Sequence, residues 1–166
     1  PAPMVFAGKV LADVVRLIKG DRYRSRLISK IMFGAYNKHI KNVRTVNDWL
    51  TRDEAVVDEY NAGKLTTFMF TVNGYRGLMN MILYVRKPRN IERIPKNLPM
   101  LMISGLDDPV GEYGKGVYRA YNSYHGHIDD IDLRLYEDCR HELCNELNKE
   151  EIYEEIYGWI MNHISK

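Results

Sequence analysis

The feature that most constrains the fold is a run of four apolar residues, Met100–Ile103, which follows a proline and ends at Ser104-Gly105. An uninterrupted apolar run of this kind is typical of a strand buried on both faces, as in parallel sheets. A helical pattern follows over residues 113–124, and residues 131–136 then alternate between apolar and polar, which predicts a second strand with one wetter face. The last helix is predicted from the capping box of Asn148 and Glu151 and from the apolar stripe that follows.

The residues before position 88 carry helical periodicity instead. Four helices are expected, over about 10–18, 23–33, 53–60 and 74–86. Gly20 and Gly34 end the first two. Either Thr51 or Asp53 is expected to cap the third helix, and Asn73 to cap the fourth. The predicted fold class is therefore α/β, with a helical region over 1–87 followed by a parallel βαβα unit over 88–166.

Two parallel strands do not make a stable sheet by themselves, because helices must cover both faces and each strand edge needs a neighbour. The helices before residue 88 cannot supply that neighbour. We therefore expect the edge of the strand at 100–103 to be unpaired, or to be paired with another polypeptide.

Composition and charge narrow the possible partners. No stretch approaches the ~20 apolar residues of a membrane span, and nothing at the N-terminus resembles a signal peptide. Cys139 and Cys144 have neither a disulfide nor a metal-site spacing, which favours a reducing cytoplasm. The first 53 residues hold 11 Lys or Arg and 4 Asp or Glu, whereas residues 107–166 hold 6 and 14. A basic half could attract anionic lipid or nucleic acid, but mutual attraction between two solvated regions is the favoured interpretation.

Two loops at the carboxyl ends of the predicted strands carry the candidate chemistry. The first contains Asp107, Asp108 and Pro109, and the second contains His141. Sites in open α/β sheets lie at these strand ends, and neighbouring strands are only ~5 Å apart. A carboxylate and a histidine placed there can form the hydrogen-bonded pair that fixes an imidazole tautomer and stabilises its charged form.

The same loops carry a family resemblance. Gly-x-x-Asp-Pro-Val at 105–110, followed by Arg-His-Glu-Leu-x-Asn-Glu at 140–146, resembles the end of lysophospholipase-like and monoacylglycerol-lipase-like α/β-hydrolases, a serine aminopeptidase-like group. The helical first part, residues 1–87 with the stretch Thr45–Asp53, resembles the cap that these enzymes insert before their last two strands. The resemblance covers essentially the whole chain. It implies that Asp108 is the triad acid and His141 the base.

The family's nucleophile has no counterpart here. It lies in a Gly-x-Ser-x-Gly turn on a strand before the cap. None of the five serines, Ser25, Ser29, Ser104, Ser123 and Ser165, has glycine two residues away on both sides. The resemblance therefore implies a C-terminal half, with cap and last two strands, that lacks the nucleophile and the oxyanion hole and is inactive alone.

Other interpretations of these residues stay open at this stage. Asp107 could be the acid in place of Asp108, and either could simply cap a turn. Cys139 and His141 could form a nucleophilic pair, although two residues so close in one loop rarely present that geometry. His125 and His127, with Asp129 or Asp130 after them, form a weak metal pattern that is more typical of a solvated turn.

The expected function is that of a fragment of a serine hydrolase of carboxylic esters, with lysophospholipid-like or monoacylglycerol-like substrates. No cofactor or metal is implied. The expected partners are a small ester or lipid and the missing half of the fold or a second copy, with no nucleic acid and at most peripheral membrane contact. The alternative is a non-enzymatic binding or assembly module that is completed by a partner chain or by self-association.

Overall fold

The computed structural model describes residues 2–164, with the backbone alone for Ala2. The outer ends of the two predicted regions, residue 1 and residues 165–166 including Ser165, lie outside this range. The elements of the described chain are α1 (Ala2–Lys19), α2 (Arg26–Phe33), α3 (Glu54–Ala62), α4 (Val72–Val85), α5 (Pro88–Ile91), β1 (Met100–Gly105), α6 (Lys115–His125), β2 (Ile131–Tyr136), a 3-10 turn (Leu143–Asn145) and α7 (Lys149–Ile164).

The chain divides into two compact units. The helical unit combines the residues up to Ala35 with Lys64–Ile94, and the α/β unit combines Tyr36–Gly63 with the residues from Pro95 onward. This division differs from the predicted boundary at 87/88, because the segment 36–63 associates with the strands. The reason is a set of polar contacts between that segment and the loop after β2, which are described with the candidate site.

The helical unit is built on the packing of α1 along α4, with α2 against the same core. Its core cluster consists of Ala12, Ile28, Val72, Tyr75 and Met79. Helix α1 ends at Gly20, as predicted, where the backbone has a φ of +84° and the amide donates to the carbonyl of Arg16 at 2.8 Å. Glycine suits this turn because it has no Cβ to oppose a left-handed conformation.

The N-terminal cap of α4 is Thr71, so the prediction of Asn73 is wrong. The hydroxyl of Thr71 accepts a hydrogen bond from the amide of Gly74 at 3.1 Å. The backbone amide of Asn73 donates instead to the carbonyl of Asp21, and its side-chain oxygen accepts from Arg76. A side-chain oxygen that binds the backbone amide three residues later has ordinary N-cap geometry. Thr71 provides this oxygen, two residues before the predicted cap.

Asp53 caps α3, which decides between the two candidates. Its Oδ1 atom accepts from the amides of Ala55 at 3.0 Å and Val56 at 3.4 Å. The hydroxyl of Thr51 donates to the distant carbonyl of Asn145 at 2.7 Å. Threonine and aspartate are both good helix caps, so the sequence alone does not decide between Thr51 and Asp53. The contact of Thr51 with the distant Asn145 decides it.

The α/β unit contains the predicted parallel pair of strands. Met100 of β1 pairs with Ile131 of β2, and the register continues to Gly105 opposite Tyr136. Helix α6 connects the strands and α7 follows the second, so the predicted order of β, α, β and α is confirmed. Within residues 2–164 the sheet has these two strands, so one edge of β1 has no neighbouring strand.

No helix within the described part of the chain is both long and apolar enough to cross a membrane.

Candidate active site

Asp108 lies in a tight loop just after β1. Its Oδ1 atom accepts a hydrogen bond from the amide of Val110 at 2.8 Å, and its carbonyl accepts from the amide of Tyr113 at 2.9 Å. An aspartate that binds the amide two residues ahead forms a self-contained turn. The turn buries the carboxylate, whose side chain is 7% exposed, and leaves its second oxygen directed at His141.

The loop after β2 is held directly against this turn. The amide of Asp107 donates to the carbonyl of Cys139 at 2.9 Å, and the amide of Leu106 donates to the carbonyl of Tyr136 at 2.8 Å. A Cβ atom on Gly105 would lie 2.0 Å from the carbonyl oxygen of Cys139, so only glycine permits this approach. The close contact of the two loops brings the acid and the histidine to one place.

Asp108 and His141 form a hydrogen-bonded pair. The Nδ1 atom of His141 lies 3.1 Å from Oδ2 of Asp108. The hydrogen bond to Asp108 raises the pKa of His141 above its usual value of 6.5, and partial burial opposes this shift. The imidazole is 36% exposed while the carboxylate is nearly covered. Because Nδ1 faces Asp108, the Nε2 atom is the nitrogen left to exchange a proton with a reacting group.

The alternatives at this site are resolved by burial. Asp107 is exposed, and the carboxylate that meets His141 belongs to Asp108. Cys139 is fully buried in a cluster with Leu143 and Ile152, and burial raises the pKa of its thiol. Its sulfur donates to Oδ1 of Asn148 at 3.3 Å and accepts from the guanidinium of Arg52 at 3.8 Å, so the thiol is engaged away from His141 and the Cys139–His141 nucleophilic pair is wrong.

No three side chains of the metal-ligating types come together as a metal site within residues 2–164. The weak pattern around His125 and His127 does not assemble one. Asp130 instead contacts His163, and Nε2 of His163 lies 3.1 Å from Oδ2 of Asp130.

Two aromatic side chains from the segment 36–63 lie beside the pair, and of these only Trp49 belongs to a stretch that the sequence analysis quoted. The ring of Trp49 lies 5.1 Å from that of His141, and the ring of Tyr36 lies 4.9 Å from that of Trp49. Burial and the charge of Asp108 together raise the pKa of the Tyr36 phenol. The pKa of Tyr113 is raised in the same way, by burial and by Asp107 and Asp108. The pair therefore borders an aromatic wall.

Glu146 is a buried acidic residue of the His141 loop that the sequence analysis quoted only as part of a motif. Its carboxylate is completely buried. Oε1 accepts from the amides of Arg140 at 2.8 Å and Arg52 at 3.2 Å, and Oε2 accepts from Nε of Arg52 at 2.9 Å. A buried carboxylate is tolerated when it has this many donors, one of them charged. The available signal was its place at the end of the Arg-His-Glu-Leu-x-Asn-Glu motif.

The loop that carries His141 is thereby tied to the segment 48–52. One guanidinium nitrogen of Arg140 donates to the carbonyls of Asp48 at 2.7 Å and Thr51 at 2.9 Å. The amide of Glu142 donates to the carbonyl of Leu50 at 2.7 Å. These contacts flank His141 on both sides, so they restrict the position of its backbone and hence of its ring.

Comparisons with known proteins agree with this architecture. The model of the family described as serine aminopeptidase, S33, matches residues 2–148. A thermostable carboxyl esterase from Bacillus coagulans, solved in complex with glycerol, has a TM-score of 0.83 at 21% identity, over 98% of this chain and 52% of its own. A lipase in an open form has a TM-score of 0.80 at 18% identity, over 94% of this chain and 51% of its own. A soluble variant of monoglyceride lipase from Saccharomyces cerevisiae, in complex with a substrate analog, has a TM-score of 0.55 at 16% identity, over 90% and 48%.

No curated protein sequence matches the chain. The chain spans about half the length of the three solved structures. At these low identities the likeness establishes the fold alone. It confirms the predicted class, the C-terminal portion of an α/β-hydrolase with helices followed by a βαβα unit.

Proposed function

Because this chain belongs to the serine aminopeptidase S33 family of α/β-hydrolases, we propose that it takes part in the hydrolysis of carboxylic esters. His141 is the general base and Asp108 is the residue that orients it. The observation that carries the proposal is the 3.1 Å contact between Nδ1 of His141 and Oδ2 of Asp108, at the ends of two adjacent parallel strands. This arrangement has the geometry expected of the acid and the base of a serine-hydrolase triad, and so supports the proposal.

In the proposed reaction, Nε2 of His141 takes the proton of a serine hydroxyl as the serine oxygen attacks the ester carbonyl. The imidazolium that forms is stabilised by Asp108, and it then gives its proton to the departing alcohol. A water molecule releases the acyl group by the same steps, with His141 again as base. The raised pKa of His141 is the physical sign that Asp108 stabilises the charged form.

The nucleophile is proposed to come from polypeptide outside this sequence. None of the five serines present has the Gly-x-Ser-x-Gly surroundings of a nucleophile turn. We expect this chain alone to hydrolyse p-nitrophenyl esters no faster than the histidine background, because loss of a triad nucleophile costs roughly 10⁶ in rate. Turnover that saturates with substrate, and that survives repurification, would contradict this part of the proposal.

The proposed substrates are lipid-like esters such as lysophospholipids or monoacylglycerols. Two observations support this choice. The aromatic wall of Tyr36, Trp49 and Tyr113 offers apolar surface beside the pair. The similar structures also include a lipase and a monoglyceride lipase that binds a substrate analog. A cytoplasmic location is part of the proposal, since Cys139 and Cys144 are free thiols.

The second candidate is an assembly module without catalysis. The observation that favours it is the edge of β1 that has no neighbouring strand within the described residues. Such an edge binds another strand readily, from a partner chain or from a second copy.

The test joins this chain to a polypeptide that supplies a Gly-x-Ser-x-Gly strand. The part of the Bacillus coagulans esterase outside the matched 52% is a suitable source. We expect saturable ester hydrolysis by the joined protein. We also expect a fluorophosphonate to label the serine of the Gly-x-Ser-x-Gly turn, and both reactions should depend on His141. Assembly with no hydrolysis would favour the module. If the fusion does not fold, NMR titration of His141 in the chain itself still tests the pair, since Asp108→Asn should lower its pKa.

A further inference from the structure

The loop that carries His141 has little regular structure of its own. Strand β2 ends at Tyr136 and the 3-10 turn begins at Leu143, so His141 lies in irregular backbone between them. Within residues 137–142 only Cys139 is buried, so apolar packing anchors little of the loop. Irregular backbone has no internal ladder of hydrogen bonds, and contacts from outside the loop must therefore fix the position of the histidine.

The guanidinium of Arg52 crosses from the segment 48–52 to this loop. Its Nε atom donates to Oε2 of Glu146 at 2.9 Å, and its Nη2 atom donates to Oδ1 of Asn148 at 2.9 Å. The same Nη2 atom lies 3.8 Å from Sγ of Cys139. These partners come before and after His141 in the sequence. A planar guanidinium with several directed donors can fix such an arrangement, whereas a single point charge cannot.

A second arginine crosses in the opposite direction. Arg140, which directly precedes His141, donates to the carbonyls of Asp48 at 2.7 Å and Thr51 at 2.9 Å. The receiving segment is itself anchored, because the buried carboxylate of Asp48 accepts from the amide of Thr45 at 3.1 Å and from its hydroxyl at 2.6 Å. The two segments therefore hold each other through reciprocal side chains.

The ion pair between Arg52 and Glu146 does more than stabilise the fold. The side chain of Glu146 is fully buried and that of Arg52 is 28% exposed. Well-packed apolar side chains of similar size stabilise such a site about as well, because burying two charges offsets much of their attraction. Directed hydrogen bonds differ from apolar packing in that they fix the orientation of the groups they join. Glu146 also accepts from the amide of Arg140 at 2.8 Å, so the pair acts on the backbone next to His141.

We propose that Arg52, through its ion pair with Glu146, is a positioning residue for His141. The pair holds the loop so that Nδ1 of His141 stays on Asp108 and Nε2 stays directed at the reacting group. The kinetic consequence rests on the proposed hydrolase function, whereas the position of the imidazole does not. Because Arg52 acts on the orientation of the base, its loss should lower kcat and leave KM nearly unchanged.

NMR titration of His141 in the full chain tests its position directly. In Arg52→Gln the pKa of His141 should fall toward its usual value of 6.5, because the hydrogen bond to Asp108 is lost. Charge alone predicts the opposite direction, since removal of a nearby cation can only raise the pKa of an imidazole. In Arg52→Lys the pKa should fall by less, because an ammonium keeps the charge but not the fork that binds Glu146 and Asn148 together.

Steady-state ester hydrolysis by the chain joined to a nucleophile segment gives the second readout. Arg52→Gln should lower kcat by roughly 100-fold, which is the cost of displacing a catalytic group by about 1 Å. Its KM should stay within about threefold of wild type, since binding of the substrate does not depend on the orientation of the base. Arg52→Lys should recover part of this loss and lie about tenfold below wild type in kcat.

Two controls separate positioning from charge and from loss of stability. Arg134→Gln removes an arginine of the same unit that pairs with the partly exposed Glu155, and kcat should stay within about twofold of wild type with the pKa of His141 unchanged. Ile128→Ala leaves a cavity at a buried position that precedes β2, whereas His141 follows that strand. It should lower the urea midpoint without changing the pKa of His141.

Two outcomes would overturn the proposal. One is an unchanged or raised pKa of His141 in folded Arg52→Gln, and the other is a rise in KM while kcat is kept. If Arg52→Gln does not fold, Arg52→Lys decides by the same two criteria. A wild-type joined protein that hydrolyses no ester would refute the proposed function, and the titration would still decide whether Arg52 positions His141.

Discussion

The helical unit and the α/β unit bury different kinds of groups. The core of the helical unit is apolar, and its acidic residues are not buried. All three buried carboxylates of the described chain, Asp48, Asp108 and Glu146, lie in the α/β unit. Each of them accepts several hydrogen bonds or holds a histidine. Apolar packing forms a stable layer of helices without fixing single atoms, whereas buried carboxylates with specific donors fix positions closely enough for chemistry.

This comparison predicts that catalysis depends on the α/β unit. In the chain joined to a nucleophile segment, His141→Ala should lower kcat by roughly 10⁴ to 10⁶, because it removes the general base. His125→Ala, an exposed histidine of the same unit, is the matched control and should stay within about threefold of wild type. The measurement is steady-state ester hydrolysis. A His141 variant with near-normal kcat would make the pair structural.

The second prediction concerns the two neighbouring aspartates. Asp108→Asn should lower kcat by about 10⁴, because an amide permits the wrong imidazole tautomer, while KM should change little. Asp107→Asn is the matched control, since its side chain is exposed, and its effect should be much milder. Comparable kcat values for the two variants would show that burial does not distinguish the two aspartates.

The largest change in the free energy of unfolding is expected for a substitution of Glu146. Glu146→Gln should lower the free energy of unfolding by about 3 kcal/mol, because it removes the buried charge that pairs with Arg52 and turns a donor toward either the two backbone amides or Nε of Arg52. The control is Glu155→Gln, which breaks the more exposed pair with Arg134 and should cost less than about 1 kcal/mol. Urea denaturation measures both. Equal losses in the free energy of unfolding for the two variants would show that burial does not make the carboxylate of Glu146 more important for stability.

A smaller effect is predicted in the helical unit. Thr71→Ala should lower the stability of that unit by about 1 kcal/mol, because it removes the cap of α4. Asn73→Ala should cost less, since its side-chain oxygen accepts from the partly exposed guanidinium of Arg76 and the cap is Thr71. Hydrogen exchange of the first amides of α4 reports the difference. If Asn73→Ala frays the helix more, the capping assignment is reversed.

The smallest effect is a pH dependence of stability. The pKa of His141 is raised on folding, so its pairing with Asp108 contributes fully below the usual value of 6.5 and is lost as pH rises through the folded value. The stability difference between wild type and His141→Gln should therefore be greatest in mild acid and shrink toward alkaline pH. Urea midpoints across that range test it, and a difference that grows with pH would contradict the sign.

Local patterns predicted much of the α/β unit. The apolar run at 100–103 and the alternation at 131–136 predicted both strands, because the period of side chains along a strand is a local property. Parallel pairing of the two strands predicts that Asp108 and His141 meet at one sheet edge, and the structure shows them there. The cap of α4 was missed because threonine and asparagine are nearly equal as caps, and neighbours decide between them.

The sequence by itself determined the order of the longer elements, although not the short α5, and the two loops that carry the acid and the histidine, since these follow from periodicity and strand ends. Tertiary structure alone decided that Asp108 and not Asp107 meets the imidazole, that Cys139 is a core residue, and that the segment 36–63 associates with the strands. Those outcomes depend on contacts such as that of Arg52 with Glu146, which are 94 residues apart. A contact between residues so far apart in the sequence produces no periodic pattern of residue types. It forms because a charge that is buried in the folded protein needs an oppositely charged or hydrogen-bonding partner.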